Sequence, residues 1–363
     1  MFKELQQTTK NGFYSADLWL LLCTHWTGKR TIIAFPTYMF SMAIKLILII
    51  AITLGLEGRL AAQAIATTGT YKTINSSSYF RLSYENDFFA AIDEYYTQGI
   101  DAELVLPQFD GKMTRAVLLR PNYGIAQYGI GIQHNGYTPS SISSEDILYN
   151  DHPFAGVLVL KTFVNVTDSQ KKQRFSSSFY AGIIGEAAGA KEMQVSIHRA
   201  LNNIMPRGWQ HQVRNDPAIN YQVTYEKQLL GYGKYFCLSA DGMANVGTIN
   251  TSGAVGSTLM TGYFTSPYNS AGILRDNFST YVYVRPQVYA VGYDATLQGG
   301  LFNDATPYRL GTENVSRFVL RNRIGVVLAY RGLNLEYFAA MSTREFGTGK
   351  PHRHGGVQLA VGF

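Results

Sequence analysis

The chain has 363 residues, of which 15% are charged and 13% are aromatic, with 35 glycines and 25 tyrosines. This mixture is typical of an all-β protein rather than of a helical enzyme. The net charge of +6 falls to +3 without residues 1–64, which hold six of the 31 basic and three of the 25 acidic residues. So small a positive excess argues against a nucleic-acid partner.

Residues 1–64 are interpreted as a leader with a signal peptide. The basic start Met42-Ala-Ile-Lys45 is followed by an apolar run over residues 46–56 and by small residues up to Ala64. This order describes a secretory signal, whereas a transmembrane helix needs about 20 apolar residues. We expect translation to start at Met39 or Met42, cleavage after Ala64, and a mature domain over residues 65–363. A membrane anchor is the alternative. Cleavage would leave Cys237 without a disulfide partner.

From residue 77 onward, apolar and polar residues alternate with a period of two. In residues 279–294, STYVYVRPQVYAVGYD, tyrosine, arginine and glutamine occupy one face and mostly valine the other. Twelve such segments begin near residues 77, 96, 115, 155, 173, 213, 235, 254, 279, 316, 333 and 355. Such long segments in an exported chain predict an all-β fold, a twelve-stranded antiparallel transmembrane β-barrel with an apolar lipid face. A soluble sandwich also alternates, but its polar face meets water.

The even strand number places both termini at one end of the barrel, which is taken as the periplasmic end. Short turns are expected there near residues 110–111, 167–171, 231–233 and 331–332, and the longer loops are expected on the outer side. Charged residues on the presumed inward face predict a filled lumen rather than an open pore. They are Arg81, Glu85, Asp101, Glu103, Arg285, Arg321 and Arg323. The C-terminal strand GGVQLAVGF, ending at Phe363, resembles the signal that the outer-membrane barrel assembly machinery recognises.

One segment breaks the alternation. Residues 185–216, GEAAGAKEMQVSIHRALNNIMPRGWQHQVRND, predict a single amphipathic helix in an extracellular loop, ending at Pro206 and lying over the barrel mouth. Gln194 and His198 are one turn apart and share a helix face. His198 could accept a proton from water, and Gln194 could orient that water or donate to an oxyanion. The alternative is a solvent-exposed histidine on a surface helix.

Further polar clusters are expected at the same rim. Asn86 and Asp87 end the first strand with adjacent side-chain oxygens, the ligand type that calcium prefers; an Asx turn that closes the strand is the alternative. Thr97 begins the second strand and is uninformative by itself. His352 and His354 are interpreted as part of a polar loop.

Taken together, these residues resemble the outer-membrane lipid A 3′-O-deacylases over nearly the whole mature chain. The resemblance rests on five motifs, which are specific in combination and not one by one. They are Glu85-Asn86-Asp87 with Asp93-x-x-Tyr96-Thr97-x-Gly99, Asp151-His152-Pro153-Phe154-Ala155-Gly156, Gln194-x-x-x-His198-Arg199 after the glycines at 185 and 189, Pro206-Arg207-Gly208-Trp209-x-x-Gln212, and Ser342-Thr343-Arg344-Glu345-Phe346.

The resemblance implies a twelve-stranded barrel that removes an ester-linked acyl chain from lipid A in the outer leaflet with a divalent cation, usually calcium. It implies that His198 is the general base supported by Gln194, that Asn86 and Asp87 serve the cation or oxyanion site, and that Thr97 lines the pocket. Residues 135–151 contain no lysine where the family has one, and Ser143 or Ser144 falls near that place. His152 stands where an arginine is usual.

Basic residues near the helix could hold the phosphates of a lipid A headgroup or be ordinary rim charges. They are Lys191, Arg199, Arg207 and Arg214. Two other functions stay open. An outer-membrane phospholipase would need a serine nucleophile beside a histidine, and Ser196 lies on another side of the helix from His198. A non-catalytic barrel, such as a small pore or an adhesin, would not depend on His198.

Overall fold

The computed structural model describes residue 74 and residues 76–90, 94–269 and 278–363. The chain divides into a unit over residues 1–58, outside the described residues, and a unit over residues 59–363, which contains all of them. The predictions of a signal peptide, of the start codon and of cleavage after Ala64 therefore lie outside the described residues. So does the motif residue Asp93. No helix in the described part of the chain is long and apolar enough to cross a membrane.

Twelve strands form one closed antiparallel barrel, which confirms the predicted fold class. Each strand pairs with the next, and β12 pairs with β1 from Tyr79 opposite Gly362 to Asn86 opposite Gly355, so no edge is left open. The strands are β1 (Tyr79–Asn86), β2 (Tyr95–Val105), β3 (Ile125–Thr138), β4 (Ala155–Asp168), β5 (Gln173–Ile184), β6 (Asp216–Tyr232), β7 (Phe236–Gly247), β8 (Asn250–Tyr263), β9 (Phe278–Asp294), β10 (Phe318–Tyr330), β11 (Leu333–Ser342) and β12 (His352–Gly362). The end of the barrel where β1 begins is called the turn end, and the end where it stops at Asn86 is called the loop end.

The two faces of each strand meet different surroundings. On β9, Tyr283 and Tyr289 are buried inside the barrel, whereas Val282 and Val288 on the opposite face are 44% and 46% exposed. Exposed apolar residues also cover the outward faces of β3 and β4, such as Ile132 and Leu160. The predicted apolar outer face is therefore present in the structure.

Ion pairs fill the lumen, as the sequence predicts. Lys161 Nζ lies 2.6 Å from a carboxylate oxygen of both Asp101 and Glu103, and Arg81 pairs with Glu103. A second group is formed by Arg323 with Glu85 at 3.5 Å and with Glu336 at 3.2 Å, and by Arg285 with Asp241 at 3.0 Å. Near the turn end, the hydroxyl of Tyr268 reaches into the barrel and donates to Glu226 Oε1 at 2.7 Å.

Two predictions are corrected here: that a strand begins near residue 115, and that the longer connections lie on the outer side only. Residues near 115 are not a strand but the short helix α1 (Lys112–Val117), and β3 begins only at Ile125. The connection folds back on the outer wall, where Leu118 packs with the outward-facing Tyr128 and Val164, and the Leu119 amide donates to the Tyr221 hydroxyl at 2.8 Å. At the loop end, β7 and β8 are joined by only residues 248–249. The longer connections are therefore not confined to the loop end.

The described residues also contain more helix than the single one predicted. Besides α1, the chain forms α2 (Ala190–Ala200) and α3 (Ala295–Gln298). Short 3₁₀ turns lie at Asp87–Ala90, Pro107–Phe109, Glu186–Ala188, Gly208–His211 and Thr312–Asn314. The polar-loop interpretation of His352 and His354 was wrong: both lie in β12, where their rings stack 5.5 Å apart inside the barrel, with His352 buried and His354 half-buried.

Candidate active site

Helix α2 lies against the outer wall of the barrel rather than over its mouth. Its first residue, Ala190, packs on Gly136 of β3 and Gly156 of β4. These glycines share their strand faces with Ile132 and Leu160, which are exposed on the outside. The predicted position over the mouth was therefore wrong.

Small residues allow the helix to approach the wall. A Cβ on Gly156 would lie 2.7 Å from the Ala190 Cβ, closer than real Cβ atoms come, and one on Gly136 would lie 3.3 Å from the Thr97 Cγ2. The His134 ring on the outer face of β3 donates from Nε2 to the Ala188 carbonyl at 3.0 Å, which holds the segment before the helix. The glycines thus seat α2 directly on the backbone of β3 and β4.

Gln194 is the central link between helix and wall. Its Nε2 donates to Thr97 Oγ1 at 3.1 Å, and its Oε1 accepts from Trp209 Nε1 at 2.7 Å. A β-bulge makes the contact with Thr97 possible, because the pairing of β2 with β3 shifts register between Tyr96 and Gln98. Gln194, Thr97 and Trp209 are all buried.

His198 lies one turn further along the same face of α2 and is 7% exposed. Its Nδ1 lies 2.6 Å from the Ile204 carbonyl, which can only accept, so Nδ1 carries the proton. In the neutral ring, Nε2 is then the acceptor, and no group among the described residues donates to it. The helix ends at Ala200 rather than at Pro206, because Asn202 adopts a left-handed conformation and the Asn203 amide bonds to the His198 carbonyl at 2.8 Å.

Asn86 and Asp87 lie at the loop end of β1 and are occupied by local bonds. The Asn86 amide donates to the Thr97 carbonyl at 2.6 Å, and its Oδ1 accepts from the Phe88 amide at 2.7 Å, which forms the Asx turn. Asp87 Oδ2 accepts from the Glu94 amide at 2.8 Å. The structure thus joins Asn86 to Thr97 and Gln194 through hydrogen bonds.

These residues alone do not form a calcium site. Calcium takes about six to eight oxygen ligands, and within the described ranges no three carboxylate, histidine or cysteine side chains could hold a metal ion together. Asn86 and Asp87 supply two side chains, and one oxygen of each already accepts a backbone bond.

The basic residues predicted to bind phosphate differ in their surroundings. Lys191 and Arg199 are exposed on α2. Arg207 is exposed and lies 3.1 Å from Glu145 of the β3–β4 loop, and Arg214 pairs with Glu186. Arg207 and Arg214 therefore already have carboxylate partners, whereas Lys191 and Arg199 have none among the described residues.

Ser196 is not placed to act as a nucleophile. Its hydroxyl donates to the Glu192 carbonyl at 2.7 Å, within the helix backbone and on its exposed side. Ser143 and Ser144 bond within their own loop, to Ser141 and to the Asp146 carbonyl.

His152 lies on the lumen side of the wall, away from α2. Its buried ring stacks on Tyr137 at 5.5 Å, and its Nε2 is 3.9 Å from Glu345 Oε2. Burial lowers the pKa of His152 to about 4, because the charged ring would lose its water, and burial raises the pKa of Glu345 well above its usual range. Without contact with solvent, His152 cannot serve a phosphate group.

Two polar residues beside α2 were missed in the sequence. Gln98 and His134 point outward from β2 and β3 and are 2% and 6% exposed beneath the helix segment. The signal was present, since His134 is a polar residue on an otherwise apolar face between Ile132 and Gly136. The bulge at Thr97 hid Gln98, because one extra residue reverses the period-two assignment.

Comparison with known proteins gives a family and a fold. A model of the family described as outer membrane protein LpxR matches residues 46–363. The structure of LpxR from Salmonella typhimurium is similar with a TM-score of 0.65 and 18% identity, covering 79% of this chain and 100% of that chain. The β domain of the Bordetella autotransporter Brka has a TM-score of 0.41 and 8% identity, covering 79% of this chain and 99% of its own. No curated protein matches the sequence.

Proposed function

The chain belongs to the LpxR family of outer membrane proteins, and we propose on that premise that it is a lipid A deacylase. It would hydrolyse an ester-linked acyl chain of lipopolysaccharide at the outer wall beneath α2. One observation carries the proposal: a buried histidine has one ring nitrogen fixed by a carbonyl and the other open, on the face of the barrel that meets lipid. The loop end would then face the cell exterior.

The residues supply the parts of a hydrolysis that uses water. His198 Nε2 takes a proton from water as the water oxygen attacks the ester carbonyl. When the bond between the acyl carbon and the sugar oxygen breaks, the imidazolium returns the proton to that oxygen, which leaves as a hydroxyl. The bond between Nδ1 and Ile204 fixes the ring tautomer. Such a base contributes roughly 10²–10⁴ in rate.

Thr97 and Gln194 are suited to receive the charge on the ester oxygen. The Gln194 amide uses one hydrogen on Thr97 Oγ1, and the second has no acceptor among the described residues. The Thr97 hydroxyl hydrogen is likewise available. Trp209 and the Asn86 amide hold this pair in place from either side. Donors arranged before the reaction stabilise a developing oxyanion without reorganisation.

The outer-wall position gives a lipid direct access from the bilayer. Leu201, Ile204 and Met205, immediately after α2, are 71%, 63% and 37% exposed and could contact acyl chains. Lys191, Arg199 and Arg207 would meet the anionic headgroup at the rim. A calcium ion at Asn86 and Asp87 stays a prediction, and so does recognition of Phe363 by the assembly machinery.

Mass spectrometry of lipid A tests the proposal. Purified protein in detergent micelles would be incubated with lipid A and, separately, with phospholipid, each with calcium or with EDTA. We expect lipid A to lose the mass of one ester-linked acyl chain while its phosphates and the phospholipid stay intact. Cleavage of phospholipid alone would indicate a phospholipase, and two intact lipids would indicate a non-catalytic barrel.

A further inference from the structure

The connection between β2 and β3, residues 106–124, covers part of the outer wall at the turn end. The connections that follow β4, β6 and β10 at the same end hold only residues 169–172, 233–235 and 331–332. The longer connection folds back along the wall, and its Leu118 is buried where it packs with Tyr128 and Val164. It therefore lies between the barrel and the surrounding membrane.

Hydroxyl groups of the wall bind the backbone of this connection. The Leu119 amide donates to the Tyr221 hydroxyl at 2.8 Å, and the Leu119 carbonyl accepts from Ser177 Oγ at 2.7 Å. The same Tyr221 hydroxyl donates to the Val117 carbonyl at 3.2 Å. Lipid chains offer no hydrogen bonds, so irregular backbone lies at membrane depth only where protein groups satisfy it. These bonds therefore suit residues 117–119 to contact with lipid.

The exposed side of the connection combines apolar and basic side chains. Met113, Val117 and Leu119 are 79%, 40% and 60% exposed. Lys112 and Arg120 are exposed beside them in the sequence, and neither has a carboxylate partner in the part of the chain that the structure describes. Basic and apolar side chains in one exposed segment are typical of contact with an anionic lipid surface.

The connection itself has little negative charge to offset its basic residues. Asp110 is its only acidic residue, and both carboxylate oxygens accept from Arg115, at 2.6 and 2.7 Å. Arg120 Nη1 donates to the Tyr128 hydroxyl at 3.0 Å, which holds the guanidinium against the wall. The other N–H groups of Arg120 have no partner among the described residues, so they can still bind a phosphate.

The neighbouring turn adds further positive charge at the same level. Gly124 closes the connection against the end of β4, where an added Cβ would lie 2.5 Å from the Thr167 carbonyl oxygen. The turn that follows contains the exposed Lys171 and Lys172. Asp168 Oδ1 accepts from the Lys171 amide at 2.9 Å, so this carboxylate is used within the turn.

We propose that the connection between β2 and β3 binds an anionic phospholipid in the leaflet at the turn end. The phosphate pairs with Arg120 and Lys112, and the acyl chains lie along Met113 and Leu119. A guanidinium fork matches phosphate oxygens, whereas the ammonium of a zwitterionic lipid competes for the same phosphate. With the loop end at the cell exterior, as proposed above, this leaflet is the periplasmic one, which consists of phospholipid. The inference goes beyond the proposed hydrolysis and does not need it.

Quenching by brominated lipids tests which lipid lies against the connection. Met113→Trp in a Trp209→Phe background places the only indole after residue 64 on α1. The protein is folded into vesicles of phosphatidylcholine and phosphatidylglycerol with equal chains, one of the two lipids being brominated. We expect phosphatidylglycerol to be favoured about fivefold or more, with a ratio that falls as salt is raised. Val326→Trp in the same background, on the exposed outer face of β10, should give a ratio near one.

Substitution of the basic residues identifies the site. Arg120→Gln and Lys112→Gln should each lower the ratio at the α1 reporter by up to about fivefold. Arg331→Gln removes an exposed cation from the turn between β10 and β11 and should leave the ratio unchanged. Native mass spectrometry of the protein without reporter substitutions should show bound phosphatidylglycerol that Arg120→Gln loses, which keeps the test valid if Met113→Trp disturbs folding.

Two results would overturn the lipid site. One is a ratio near one at the α1 reporter in about 0.1 M salt, and the other is the same ratio at the α1 and β10 reporters. Hydrolysis of lipid A is read separately, since these vesicles contain none. Preferential binding of phosphatidylglycerol without hydrolysis of lipid A would overturn only the deacylase, and hydrolysis without preferential binding would overturn only the lipid site.

Discussion

The two sides of strands β2–β4 bury polar groups in different ways. On the lumen side, Lys161 lies 2.6 Å from both Asp101 and Glu103, so each of these charges has a partner of opposite sign. On the outer side, beneath α2, His198 Nε2, Gln98 Nε2 and His134 Nδ1 have no partner among the described residues. Leaving a buried donor or acceptor unpaired costs about 1–3 kcal/mol. The lumen side therefore pairs its charges, although some of its atoms, such as Gln133 Oε1, also lack a partner among the described residues. The open groups of the outer side differ in that they lie next to the residues to which the chemistry is assigned.

The largest effect is expected from His198. Replacing it with alanine removes the base and should lower kcat for acyl release by roughly 10²–10⁴-fold, with the unfolding midpoint little changed. His211→Ala is the matched control, because His211 lies beyond the helix and bonds to the Glu145 carbonyl. Equal activity of His198→Ala and His211→Ala would mean that His198 is not the catalytic base.

A substitution in the lumen should lower the stability of the barrel and leave kcat unchanged. Lys161→Met leaves Asp101 and Glu103 buried without their shared cation, and breaking such a pair costs about 3–5 kcal/mol of folding free energy. Urea unfolding in detergent should show this loss, while the folded fraction keeps its wild-type kcat. Lys350→Met removes an exposed pair with Glu94 and should cost less than about 1 kcal/mol. Loss of kcat in folded Lys161→Met would contradict a purely structural lumen.

The buried His152 predicts how stability depends on pH. Its pKa of about 4 lies below the ordinary value near 6.5, so the unfolded chain binds more protons between these values. This contribution is fully present above pH 6.5 and is lost as the pH falls towards 4, with a slope of up to about 1.4 kcal/mol per pH unit. Glu345 acts with the opposite sign, because its raised pKa makes its contribution fade as pH rises.

Urea unfolding of His152→Gln at several pH values should therefore show a stability that rises less, or falls more, between pH 4 and 6.5 than in the wild type, by up to about 1.4 kcal/mol per pH unit. His211→Gln, at a half-buried position after α2, provides the comparison and should keep the wild-type slope. An unchanged slope in His152→Gln would mean that the ring is protonated or hydrated in the folded state.

The smallest effect is expected at Trp209. Trp209→Phe keeps the aromatic packing on Phe154, whose ring lies 4.9 Å away, but removes the N–H that holds Gln194 Oε1. Loss of one such bond is worth about 1 kcal/mol, so kcat should fall roughly tenfold or less with little change in KM. Gln210→Ala, which removes a bond to Glu145 instead, should leave kcat unchanged.

Much of the barrel can be predicted from the sequence, because a two-residue period reports directly on the two faces of a strand. Twelve strands, the filled lumen and the convergence of Asn86, Thr97 and Gln194 follow from that period and from strand counting. The two-residue period gives a wrong assignment near residue 115. A short apolar segment such as the one that contains Val117 and Leu119 fits a strand and a helix packed on the wall equally well. His352 and His354 were assigned to a loop because polar residues at a strand end resemble one.

The side of the wall on which α2 packs could not be predicted. Strand counting places a loop at one end of the barrel but does not say whether it folds over the mouth or down the outside. That choice depends on Gly136 and Gly156, whose missing side chains matter only once Ala190 lies on them. Gln98 and His134 escaped notice for the same reason, since their burial is created by the helix segment that covers them.

Hydrolysis of lipid A in ¹⁸O-labelled water tests the central claim, that His198 activates water for attack on an ester at the outer wall. We expect one ¹⁸O atom in the carboxyl group of the released fatty acid and none in the sugar hydroxyl, because attack on the carbonyl breaks the bond between acyl carbon and oxygen. Label in the sugar, transfer of the acyl chain to another lipid, or no release at all would contradict this chemistry.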